Sequence, residues 1–78
     1  MNLGKSIKIL LIREGINQVE LAERLNKQAK EESRPLKAKY SRQQISHWCR
    51  TGKIPDYHLM AVCDLFEMKA SELVALGE

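Results

Sequence analysis

Residues 41–55 read SRQQISHWCRTGKIP, and within them Arg42, Gln43 and His47 carry the donors and acceptors that can read nucleic-acid bases. A guanidinium matches the two acceptors on the major-groove edge of guanine, and a glutamine amide matches the donor and acceptor of adenine. His47, one helical turn beyond Gln43, can donate or accept. Gln44 is a fourth base-reading candidate, in competition with a capping role at the same amide. Groups suited to phosphate stand on either side of these readers: Arg50, Thr51 and Lys53 after them, Lys39 and Tyr40 before them, and Asn17 with Gln18 at the start of an earlier element. Phosphates take half or more of protein–DNA hydrogen bonds, so such flanking groups would position the reading segment. An isolated Lys or Arg is ordinarily a solvated side chain. The bracketing of one segment is what favours phosphate contact here.

Other chemistries find little support. Cys49, Cys63, His47 and His58 nominally supply four zinc ligands, but His47 and Cys49 are two apart on a helix and point away from each other. No Ser/His/Asp grouping is present, and Gly4, Gly15, Gly52 and Gly77 are scattered rather than gathered into a phosphate loop. Ser46 reads as a small packing residue and not a nucleophile. The chain is therefore expected to be no enzyme, and to use no metal, cofactor or small-molecule ligand.

Net charge over the 78 residues is only +3, but it is unevenly placed. Eight Lys and Arg residues between Lys27 and Lys53 face only Glu31 and Glu32, which makes that stretch +6 and the remainder −3. A polyanion would meet the middle of the chain. Two cysteines are too few for a disulfide framework, so both are expected reduced. The run Ile9–Ile12 is shorter than the roughly 7–15 apolar residues of a signal peptide, and nothing approaches the roughly 18 of a membrane span. These features predict a cytoplasmic, nucleoid-associated protein with no membrane partner.

The elements that must position these residues are helical. Leu3, Ile7, Leu10 and Leu11 fall on one face, so residues 2–14 form a first helix ended by Gly15. Asn17 with Glu20 has the pattern of a capping box, and Leu21, Ala22 and Leu25 give a second helix its buried stripe. That helix can continue through KQAKEES until Arg34 and Pro35 stop it. Ser41 with Gln44 repeats the cap pattern, placing a third helix from Arg42 to about Arg50, with Gly52 as its stop and Ile45 and Trp48 inward. Pro55 and Asp56 introduce a fourth helix with Leu59, Val62, Cys63 and Phe66 inward, and Ala70 to Leu76 forms a fifth carrying Leu73 and Leu76. No period-two strand pattern occurs. The expectation is one all-α, five-helix domain over residues 1–78, with a low-hydrophobicity insertion at about 26–40.

The stretches LGKSIKIL, NQVELAERL, SRQQISHW, GKIP and LMAVCDLF together resemble the Cro/C1-type (XRE-like) helix-turn-helix family of phage and bacterial repressors. That resemblance implies a lambda-repressor-like domain, with helix 42–50 as the recognition helix in the DNA major groove and Gln18 on phosphate. Three features depart from the family pattern: the long segment NKQAKEESRPLKAKYS in place of a tight turn, Cys49 where an acidic residue is common, and a Gly one residue late. The insertion is either a cationic arm that follows the DNA backbone or a lengthened solvent turn. The implied function is a sequence-specific double-stranded DNA-binding regulator, a Cro-like repressor acting as a homodimer. With the chain ending just after the fifth helix, no effector-binding domain is expected, which favours Cro-like action over effector sensing. Ile9 and Ile12, off the core stripe of the first helix, would either cover the insertion or join another subunit, and Val74, off that of the fifth, is a second candidate interface. The alternative is an antitoxin, paired with a toxin, or another protein-interaction adaptor on the same fold.

Overall fold

The computed structural model describes residues 3–33 and 39–78, which form five α-helices and their connections with no strand among them. The helices are α1 (Leu3–Glu14), α2 (Gln18–Glu31), α3 (Arg42–Thr51), α4 (Asp56–Leu65) and α5 (Ala70–Leu76). The expected start of the first helix at Asn2, and the Arg34–Pro35 stop, lie outside the described residues.

Local chemistry accounts for the helix ends. Asn17 Oδ1 accepts the Glu20 N–H at 2.9 Å and Glu20 Oε1 accepts the Asn17 N–H at 3.3 Å, which completes the expected box. At α3 only half of the expected box forms: Ser41 Oγ accepts the Gln44 N–H at 3.3 Å. Gly52 closes α3 in the left-handed region at φ 72° and donates its N–H to Trp48 O at 2.8 Å. Helix α2 stops at Glu31, two residues short of the expected end, because Ser33 turns left-handed at φ 54° and bonds back to Lys30 O. Residues 26–31 of the supposed insertion are thus the last turns of α2.

The core joins all five helices. Ile7 and Leu10 of α1, Leu21 and Leu25 of α2, Ile45 and Trp48 of α3, Val62 of α4 and Leu73 of α5 are almost wholly buried. Each large apolar side chain so buried contributes on the order of 1.5–3 kcal/mol. Helix α1 packs against α3 and α5, α2 against α3 and α4, and α4 against α5. Leu59, Phe66 and Leu76, expected inside, are only half-buried at the edge of the core. Phe66 caps α4 instead of belonging to it, which swings it off the buried stripe.

The α1–α3 crossing is unusually close. Gly4 is buried where a Cβ would run into the Cys49 carbonyl and lie 3.1 Å from Trp48 O. Only a residue without a side chain lets the two backbones approach that far. On the other flank of α3, the Gln28 amide of α2 lies 3.1 Å from both Ala61 O and Leu65 N, and clips α2 to α4 when its nitrogen faces the carbonyl.

Candidate nucleic-acid interface

Helix α3 is clamped between α1 and α2 by Ile45, Trp48 and Cys49, all buried. At 100° per residue those three fill one side of the helix, and the opposite side centres on Gln43, His47 and Arg50. All three are exposed, as is Arg42 in the first turn. Arg42 stands about 100° round from Gln43 by the same geometry, so it occupies the flank of the tip and not the middle of the outward face. Gln44 is half-buried, beside Trp48 at the edge of a shallow groove. Its N–H is used by Ser41, while its side-chain amide is not needed for the cap.

Arg50, expected at the end of the third helix and as part of a phosphate clamp, lies in the last turn of α3 and joins the outward face two turns from Gln43. Thr51, expected on phosphate, needs correction: its hydroxyl donates to His47 O at 2.8 Å and accepts the Lys53 N–H at 3.2 Å. Its one proton is committed to finishing the helix, leaving none to offer an anion. Lys53 is exposed on the groove that Gln44, His47, Asp56 and His58 also line, so a carboxylate shares that edge with the cation.

Tyr40, also expected on phosphate, is 4% exposed and belongs to the core. Its ring meets Trp48 edge-on at 6.1 Å and His58 edge-on at 5.1 Å, and its hydroxyl is 2.7 Å from His58 Nδ1. Lys39, just before it, is exposed and remains on the surface as expected. His58, nominally a metal ligand, stacks tilted against Trp48 with ring centroids 5.7 Å apart.

The start of α2 is more occupied than its residue types suggest. Asn17 has Oδ1 in the capping box, so only Nδ2 is left to donate outward. Gln18 is half-buried, with its side chain towards the Cys49 thiol. Burial pushes the Cys49 thiol up from its ordinary 9.0, opposed by the nearby Lys8 charge and by the Gln18 side chain. Lys8 is a cation that the sequence did not single out: it is exposed on α1, and its charge is felt at the Cys49 thiol of α3.

Among the candidate interface residues, Ile12 is 81% exposed. Ile9 is half-buried, and Val74 is half-buried against the core, so neither is the open apolar patch expected of it. Val74 lies on α5, which packs against both α1 and α4.

Among the described residues, no helix is long and apolar enough to cross a membrane. Comparison of the chain with protein-family models, with curated proteins and with solved structures gave no match.

Proposed function

We propose that this chain is a sequence-specific double-stranded DNA-binding regulator of the helix-turn-helix kind, with α3 as the recognition helix. The observation that carries the reading is the tip of α3: Arg42, Gln43 and His47 are exposed on a capped helix whose other side is locked into the core. A duplex major groove about 12 Å wide admits one such helix, and a rigid scaffold is what keeps its side chains in register with base edges. Arg42 and Gln43 serve as bidentate readers of guanine and adenine, with His47 and Gln44 deeper along the helix. Lys39, Lys53 and Arg50, together with Lys8 and the Asn17 amide at the start of α2, hold the sugar-phosphate backbone. The +6 charge of residues 27–53 supplies the attraction.

Regulation in this reading is by occlusion, as a Cro-like repressor does. Two copies related by a two-fold axis would address half-sites one turn, about 34 Å, apart. Ile12 is the best-placed contact for such a pair, since it is the most open large apolar side chain of the described residues.

The test is selection of bound sites from a random duplex pool, repeated with Arg42→Ala and Gln43→Ala. A recovered motif with defined half-site spacing, degraded at one position by each variant, is the expected result. Equal recovery of all sequences refutes base reading. The same exposed Ile12 favours a second reading, an antitoxin or adaptor that meets a protein partner. A stoichiometric complex that survives nuclease and high salt, with no enriched DNA motif, would support that reading over the first.

A further inference from the structure

We infer that Asn26 is a positioning residue for base reading, acting through the backbone of Tyr40 to set where the tip of α3 stands. The inference rests on the DNA-reading proposal above and adds to it a determinant that touches no DNA.

Asn26 lies in α2, fourteen residues before Tyr40. Its Oδ1 accepts the Tyr40 N–H at 2.7 Å, and its Nδ2 donates to Tyr40 O at 3.0 Å. A primary amide is the one neutral side-chain group that offers an acceptor and a donor side by side, so it can engage both backbone groups of a single residue. Tyr40 directly precedes Ser41, the cap of α3, so fixing both of its peptide groups fixes the direction in which α3 begins.

The same residue is held at its other end. The Tyr40 hydroxyl is 2.7 Å from His58 Nδ1 of α4, and its ring lies edge-on against Trp48 of α3. Position 40 is therefore pinned by α2 at the backbone and by α3 and α4 at the ring. A tight turn between two helices restricts their relative placement by its shortness. The connection between α2 and α3 is far longer than that, and a long loop constrains its ends only weakly. The amide pair restores the restriction that length removes.

Discrimination between bases depends on bidentate geometry, which is lost with small misplacement, whereas attraction to phosphate tolerates it. Loosening the Asn26–Tyr40 pair should accordingly lower specificity more than general affinity. The experiment takes the full chain and the motif it selects from random duplexes, and measures affinity for that motif and for a scrambled duplex. The variants are Asn26→Ala and Asn26→Asp. Aspartate keeps the shape and the acceptor for the Tyr40 N–H, but sets an oxygen against Tyr40 O.

The expected result is a fall of about tenfold or more in the motif-to-scrambled ratio, comparable with losing one base contact. Scrambled-duplex affinity and its salt dependence should stay within about threefold, with cooperative melting retained. An unchanged ratio in either folded variant overturns the inference. So does failure of both variants to fold, which would make Asn26 a fold-holding residue only. If the unmodified chain enriches no motif at all, base reading itself fails, a result distinguishable from the others.

Discussion

Gly4→Ala is the sharpest test of the packing that holds α3 in place. Judged from helix propensity alone, the change should stabilise α1 by up to about 1 kcal/mol. The structure reverses the sign. A Cβ at position 4 collides with the Cys49 carbonyl and lies 3.1 Å from both Cys49 C and Trp48 O. These are backbone atoms of a capped helix, so no rotamer change relieves the contact, and α1 must move off α3. Overpacking of this kind costs about 1–3 kcal/mol. Set against the full propensity gain, the net loss is up to about 2 kcal/mol, which for a domain this size lowers the melting temperature by up to roughly 15 °C. Urea unfolding followed by circular dichroism should show a lower midpoint at unchanged slope, the mark of lost stability without a change in the surface exposed. A variant as stable as the parent, or more so, would show that the α1–α3 approach is not as close as described, and would remove the argument that α3 is rigidly held.

Other expected outcomes are more local. Lys53→Ala should weaken binding to all duplexes alike and reduce the salt slope of log affinity by about 0.9, whereas Arg42→Ala should relax preference at one base position by about 1–3 kcal/mol; titrations across salt with selected and scrambled duplexes separate the two. Asn17→Ala removes the side-chain acceptor of a complete box, a bond of 2.9 Å, and should cost about 1 kcal/mol in thermal unfolding, more than Ser41→Ala, whose bond is 3.3 Å long. Cys49 and Cys63 are both pushed above their ordinary 9.0 chiefly by burial, with Asp64 and Glu72 adding to the rise at Cys63. The native state therefore keeps these protons longer than the unfolded chain. Their contribution to stability is complete below pH 9 and declines as pH rises above it, visible as a falling urea midpoint in alkaline buffer that is reduced in Cys63→Ala. Ile12→Lys should sediment as a monomer at concentrations where the parent is a dimer; identical sedimentation of the two would remove Ile12 as the contact.

The helices were legible because their signals are local. Asn17 and Glu20, Ser41 and Gly52, and the spacing of Leu3, Ile7 and Leu10 act within one or two turns, and each produces the end or face its chemistry calls for. Exposure of Arg42, Gln43 and His47 followed in the same way from the inward pair Ile45 and Trp48. What could not be read depends on partners distant in the chain. Tyr40 looked like an aromatic in a basic arm until Asn26, Trp48 and His58 drew it inward. Thr51 looked like a hydroxyl free for phosphate, yet the carbonyl of His47 was within its reach. Gln44 could have completed a box, and its identity alone does not say which of two bonds it makes. Val74 is drawn part-way into the core where α5 packs on α1 and α4, which no periodicity within α5 can foresee.

The paired bonds between Asn26 and Tyr40 also bear on how tolerant the chain is to alteration. They fasten a side chain of α2 directly to the residue that precedes the Ser41 cap, so a substitution at position 26 reaches the start of α3 without passing along the connecting chain.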